Sequence, residues 1–241
     1  MNLRDNLNSY ENYIEIINKN NGFIEKRFVK IEQLLADERE GRKRYPKENS
    51  EIILSTYQSI FDYQLKVIQA TYSSGQELSV ISTIYDDALT CMENGFSEQY
   101  SYSRVLEMLS LGILLEKRTL HFKRLEKILD EEQLEDRLLN ILLKQKLDNT
   151  SDRNFIFENP YKGVSDIIVS AKNDLLCVKN VKLFMENWYR SIDIKTHKSN
   201  FNIHSGYWCW EAGALVKVLG IDDSNLHQEQ FYPYDLVHAK I

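Results

Sequence analysis

The 241-residue chain carries 30 basic against 36 acidic side chains, a formal charge of -6, with 43% hydrophobic and 11% aromatic residues, 9 glycines and 3 prolines. That apolar content repays the entropy of ordering the chain and excludes a disordered protein, and the scarcity of Gly and Pro removes the punctuation that an all-β or Gly-loop α/β protein needs. The number and spacing of the three cysteines, Cys91, Cys177 and Cys209, match neither a disulfide framework nor the close pairs of a zinc site, so each reads as a small buried hydrophobe in a reducing compartment.

The first residues, Met1-Asn2-Leu3-Arg4-Asp5-Asn6, lack the basic start and apolar run of a secretory signal. No stretch approaches the roughly 18 apolar residues of a membrane span. A cytoplasmic location and no membrane partner are expected. Tyr10 to Asn18 and Phe23 to Leu35 are predicted as two helices broken at Asn20-Asn21-Gly22, and Glu38 to Arg44 as an exposed charged connector in which Arg42-Lys43-Arg44 is solvated. Pro46 then suits the first turn of a helix whose stripe runs through Leu54, Tyr57, Phe61, Leu65, Ile68 and Tyr72 and stops at Ser73-Ser74-Gly75. Leu78, Ile81, Tyr85, Leu89 and Met92 repeat the pattern, which leaves Asp86, Asp87 and Glu93 off the stripe.

Ser103 to Leu115 is apolar on nearly every side, as a helix buried in the middle of a bundle would be. Lys117-Arg118-Thr119 marks a boundary, which divides the chain into an N-terminal helical module, 1–118, and a C-terminal one, 119–241. Helices are expected over His121 to Leu129, Leu134 to Leu147, Val164 to Ala171 and Leu175 to Tyr189, with a break at Asn149 to Asp152. The whole reads as all-α and bundle-like, two helical modules packed together.

Charge is distributed unevenly. Residues 51 to 100 hold one base, Lys66, against Glu51, Asp62, Glu77, Asp86, Asp87, Glu93 and Glu98, while residues 201 to 241 hold two bases against five acids, and the remainder is net basic. An acidic middle repels nucleic acid and suits a basic protein surface, although a solvated helix face has the same composition. Tyr63, Tyr85 and Tyr100 lie beside acids, a mixture that suits either a partner surface or phenols straddling core and solvent.

Sequence motifs for nucleotide, serine-hydrolase or metalloprotease chemistry are absent, no cofactor is implied, and the basic residues form no run interleaved with aromatics. A non-enzymatic role follows as the expectation. The one enzymatic alternative is a metal-assisted hydrolase using Asp222, Asp223, His227 and His238. Against it, Gly220-Ile221-Asp222-Asp223-Ser224 has the form of a helix C-cap running into the next N-cap.

The most distinctive run is Ser205-Gly206-Tyr207-Trp208-Cys209-Trp210-Glu211-Ala212-Gly213-Ala214-Leu215 through Gly220-Ile221-Asp222-Asp223-Ser224, followed by Phe231-Tyr232-Pro233-Tyr234-Asp235-Leu236-Val237-His238. Its small residues Ala212, Gly213 and Ala214 permit close helix approach. Glu211, if buried, needs a partner, for which a Tyr or Lys can serve. This run resembles the C-terminal signature of the PoNi immunity-protein family: a G-Y-W-x-x-E-A-x-A-L helix, a G-I-D-D-S turn and a Y-Y-P-Y-D-L-x-H ending. Phe231 replaces the first Tyr of the ending, and Gly213 stands where Ala is usual. Residues 1 to 118 resemble the family's N-terminal domain in length and texture.

The resemblance implies an antitoxin that binds a PoNe-type DNase toxin exchanged between competing bacteria. The signature residues Gly206, Tyr207, Trp208, Glu211, Ala212, Gly220, Asp222, Asp223, Tyr232, Pro233, Tyr234 and Asp235 read as structural. The acidic set Glu77, Asp86, Asp87, Glu93 and Glu98 is the expected contact for the toxin, with no nucleic-acid partner. Nothing in the sequence indicates a homo-oligomer.

Overall fold

The structure is a computed structural model describing residues 2–95, 102–131, 136–146 and 155–240. Its described residues form ten α-helices and no strand, as the composition predicts: α1 (Tyr10–Arg39), α2 (Asn49–Ser73), α3 (Leu78–Asn94), α4 (Tyr102–Leu114), α5 (Thr119–Glu131), α6 (Arg137–Lys144), α7 (Gly163–Ser170), α8 (Asp174–Ser191), α9 (Trp210–Leu219) and α10 (Tyr234–Val237). Among the described residues no helix is long and apolar enough to cross a membrane.

Contacts divide the chain into two compact units, Met1–Tyr100 with Thr196–Gly206, and Ser101–Lys195 with Tyr207–Ile241. This division falls one helix earlier than the expected boundary at 118, because α4 packs against α9, α5 and α6.

In the first unit α2 is the central element, flanked by α1 and α3. Ile60, Phe61, Leu65, Ile68 and Tyr72 are buried along it, whereas Leu54 and Tyr57 at the head of the expected stripe are only half-buried. Pro46 lies ahead of the Glu48 N-cap rather than in the first turn. The predicted break in α1 does not occur. Asn20 is buried and its side-chain amide donates to the Ile16 carbonyl at 2.6 Å, so the polar residue that would favour a loop is satisfied within the helix. The penalty of Gly22, about 1 kcal/mol against Ala, is outweighed by packing along α2. Asp37, with its side chain almost fully covered, draws the Arg44 guanidinium to 2.8 Å and that of Arg42 to 3.2 Å, which folds the charged connector back onto the end of α1.

The segment before α1 closes α2. Arg4 donates to the Tyr72 and Gln76 carbonyls at 3.1 and 3.0 Å and lies over the Tyr72 ring, placing a cation at a helix C-terminus, where the dipole favours it. Gly75, with φ of 78°, completes the turn; a Cβ there would stand 2.2 Å from the Asn2 carbonyl oxygen. The Thr196–Gly206 strap belongs to this unit. His204 Nε2 meets Asp5 Oδ2 at 2.9 Å with both side chains buried, Thr196 Oγ1 lies 2.8 Å from His204 Nδ1, and the Ser73 hydroxyl donates to the Ser205 carbonyl at 2.8 Å.

In the second unit, α4 is buried over nearly its whole surface, as its all-round apolar pattern implies. Asp136 caps α6: one carboxylate oxygen accepts from the Leu138 and Leu139 amides and from the Tyr102 hydroxyl, the other from the Ile156 amide at 2.7 Å. Gly213 of α9 is where three elements crowd. An added Cβ would stand 2.7 Å from Pro233, 3.1 Å from Val237 and 3.3 Å from Leu114. The small-residue run thus does permit the close approach read from it.

Candidate partner-binding surface and the C-terminal signature

The residues singled out in the sequence fall on two features, the acidic helix α3 and the signature around α9. On α3, Ile81, Tyr85, Ala88, Leu89, Cys91 and Met92 face inward. Asp87 and Glu93 are exposed, Asp86 is half-buried, and Glu77 is an exposed N-cap whose side chain makes no capping bond. Asp86 and Glu93, seven residues apart, share one side of the helix, and no base occurs between Leu78 and Asn94. Glu98 and Tyr100 lie outside the described residues.

The tyrosines do not follow one pattern. Tyr85 is fully buried and belongs to the core rather than to a partner surface. Tyr63 is half-buried, and its hydroxyl accepts from Arg27 at 3.1 Å. Lys66, the base of the acidic segment, lies over the Tyr63 ring on α2. Within the described part of the acidic segment, α3 carries Asp86, Asp87 and Glu93 without a base, while Arg27 and Lys66 both lie against Tyr63, next to Asp62 on α2.

The signature begins at a glycine with φ of 119°, Gly206, and continues through buried Tyr207, Trp208, Cys209 and Trp210 into α9. The Cys209 amide donates to the Phe231 carbonyl at 2.9 Å, joining the start of α9 to the ending of the motif. There the Phe231 ring stacks on Tyr189 at 4.3 Å, with Tyr207 edge-on to Tyr189 at 5.4 Å. Gly220 ends α9 in the left-handed region at φ of 64°. Ala212 and Pro233 are buried, Tyr234 packs its ring against His227 and His238, and Asp235 is exposed in the first turn of α10.

Glu211 is 6% exposed, and its Oε2 meets no hydrogen-bond partner among the described residues. Burial pushes its carboxyl up to about 7; the nearby Glu107 carboxylate adds to the rise, while its own backbone amide and the Cys209 thiol oppose it. The expected Tyr or Lys partner is thus a thiol: Lys217 pairs with Glu116 at 3.0 Å instead. Tyr102 and Tyr161 lie within electrostatic reach of Glu211, and burial, then neighbouring carboxylates, push both phenols far up. The three cysteines are free and buried, with thiols raised by burial, Cys91 to about 11, which leaves them protonated and unreactive.

Four side chains had offered a metal-site reading, and the geometry does not gather them as ligands. Asp223 is buried and engaged: it accepts from the Tyr232 hydroxyl at 2.7 Å and meets His238 Nε2 at 2.9 Å. Asp222 points back to accept from the Ser224 amide at 3.0 Å, an interaction that holds its carboxyl below the usual range. His227 stands edge-on to Tyr234 at 4.8 Å. Among the described residues no three His, Cys, Asp or Glu side chains come together as a metal ion requires.

Family comparison covers nearly the whole chain. Residues 4–127 match the family of PoNe immunity protein (PoNi), N-terminal, and residues 134–236 match that of PoNe immunity proteins (PoNi), C-terminal. The chain belongs to the PoNi family of immunity proteins. The N-terminal match gives firm footing to a half that resembled the family only in texture. Protein PA2201 from Pseudomonas aeruginosa, known from a crystal structure, shares the fold of this PoNi protein at a TM-score of 0.59 and 16% identity, over 99% of this chain and 98% of that one. No curated protein matches the chain.

Sequence reasoning did not single out Asp136, whose carboxylate accepts four hydrogen bonds, or the Asp5–His204 pair. Asp136 had a local signal, an Asp two residues before a Leu-Leu pair that opens a helix. Asp5 and His204 are 199 residues apart, and no local pattern joins them.

Proposed function

We propose that this PoNi protein binds a cognate nuclease toxin in the cytoplasm and inhibits it by covering the toxin's DNA-binding or active site with the outer face of α3. The reading is carried by one observation: α3 bears Asp86, Asp87 and Glu93 off its buried face and no base along its length. A DNase has to present basic groups to phosphate, and a helix of this charge can occupy the same groove. Blocking a groove needs no catalysis by the inhibitor. Glu77, beside the start of α3, extends the contact.

The test is co-expression with the adjacent gene's product. The wild-type chain is expected to rescue cells from DNA degradation, and failure to do so overturns the nuclease-immunity reading. Asp86→Lys with Asp87→Lys should weaken toxin binding by about tenfold or more in a titration of the purified partners. Unchanged affinity in that variant removes α3 as the contact while leaving immunity in place.

A further inference from the structure

Between the start of α1 and the Thr196–Gly206 strap, within the first unit, lies a cleft of about 220 Å³ whose wall includes Asn8, Asn12, Ser199, Asn200, Asn202 and Phe201. Charged residues make up 27% of the chain, yet among the described residues no Asp, Glu, Lys or Arg lines this cleft. Its ionisable lining is His197 and His204. His204 is buried and engaged by Asp5 and Thr196, and the His197 ring stands edge-on to it at 5.8 Å. Glu15 borders the wall, where its carboxylate accepts from the Asn202 amide at 2.8 Å. A wall of amides and hydroxyls without a free charge suits a neutral ligand that both donates and accepts hydrogen bonds.

Asn8 fixes the amides around it. Its side-chain NH2 donates to Asn202 Oδ1 and to the His204 carbonyl, both at 3.1 Å, while its Oδ1 accepts from the Ser9 amide at 3.0 Å and from Asn12 Nδ2 at 2.8 Å. Asn202 donates in turn to the Asn12 carbonyl at 3.1 Å. These bonds satisfy Asn8 completely and hold its neighbours in place with capacity to spare. Asn12 Oδ1 and one Asn12 N–H, a lone pair on Asn202 Oδ1, the Ser199 hydroxyl proton and both ends of the Asn200 amide have no partner among the described residues. On the same cleft the Phe201 ring is 78% exposed, an aromatic face with nothing folded over it.

We propose that this cleft binds an uncharged saccharide ring, whose hydroxyls bond to Asn12, Asn200 and Ser199 and whose C–H face lies on the Phe201 ring. Each sugar hydroxyl is both donor and acceptor, so adjacent hydroxyls match the paired N–H and C=O of a carboxamide, and the apolar face of a pyranose matches an aromatic plane. Size agrees, because drug-sized ligands occupy pockets of about 300 to 1,000 Å³ and a single ring needs less. A peptide segment is the other neutral ligand with this chemistry. It would bind along a sheet edge or a long groove, and the described residues offer no strand. This inference does not rest on the toxin contact, which uses α3.

Nuclear magnetic resonance on the full-length protein tests it, with glucose, galactose, mannose and N-acetylglucosamine as probes and a blocked glycine dipeptide as the peptide control. At least one sugar is expected to show saturation transfer to its ring protons and to shift the Asn12 and Asn200 side-chain amide signals, with a Kd below about 10 mM. Phe201→Ala and Asn200→Ala should each weaken that binding about fivefold or more. Both side chains are exposed, so an unchanged helical signal in circular dichroism should accompany the loss. Three results overturn the proposal: no sugar binding below about 10 mM, sugar binding indifferent to both variants, or a blocked dipeptide that binds as tightly as the best sugar.

Discussion

At the scale of single residues, the buried carboxylates differ by what surrounds them. Glu211 has a thiol and a second carboxylate nearby and an oxygen without a hydrogen-bond partner among the described residues, and burial pushes its carboxyl up to about 7. An acid whose folded value lies above its unfolded one stabilises the fold in its protonated form, and that contribution fades as pH rises through the folded value. Between about pH 5 and 8 the wild type should therefore lose on the order of 2 to 3 kcal/mol. Glu211→Gln, neutral throughout, should show a flatter profile in urea unfolding over that range. Asp5 has the opposite sign. Although burial opposes it, hydrogen bonding from His204 leads the effects that hold its carboxyl below the usual range, so its stabilisation is lost as pH falls through that depressed value.

Asp136 makes a sharper residue-level case. Its removal in Asp136→Ala takes this acceptor from two buried helix amides, the buried Tyr102 hydroxyl and the partly buried Ile156 amide. The expected cost is about 3 kcal/mol or more by chemical denaturation, above that of an ordinary N-cap because three elements share the one carboxylate.

At the scale of elements, periodicity identified helices well and their limits less well. Of the stripe Leu78, Ile81, Tyr85, Leu89, Met92, all but the half-buried Leu78 at the helix start lie on the buried face of α3, and α4 is buried as an all-round apolar helix should be. Asn20-Asn21-Gly22 reads as a break, but once α1 and α2 pack together, continuing the helix buries more apolar surface than a loop would, and the Asn20 amide finds an acceptor one turn back. The end of α2 depends on Gly75 for two reasons, its positive φ and the adjacent Asn2 carbonyl. Gly75→Ala should therefore lower stability by about 1 to 3 kcal/mol, with a loss of thermal midpoint measurable by calorimetry.

At the scale of the whole molecule, the proposed docking of an acidic helix in a basic groove requires association that is quick at low ionic strength and slower as salt rises. Stopped-flow mixing of this PoNi protein with its toxin should show an association rate falling by about tenfold or more between 20 and 300 mM salt, with a smaller change in dissociation. A rate indifferent to salt would remove charge from the account of binding.

The amino-acid sequence alone determined the all-α class, since scarce Gly and Pro and a repeated helical period leave no other regular structure. It also held the family, because the aromatics, small residues and caps from Gly206 to His238 form a continuous pattern readable without contacts. The concentration of acids on the outer side of α3 was legible for the same reason: helical geometry converts spacing into faces. What only the tertiary structure decided joins residues remote in the chain. The strap at Thr196–Gly206 belongs with α1 to α3 through Asp5, Gln69 and Ser73, and α4 belongs with α9. The Glu211 carboxyl finds Cys209, and Asp223 takes Tyr232 and His238 rather than a metal set. Burial and long-range hydrogen bonding depend on which surfaces meet, and local propensity does not encode that choice.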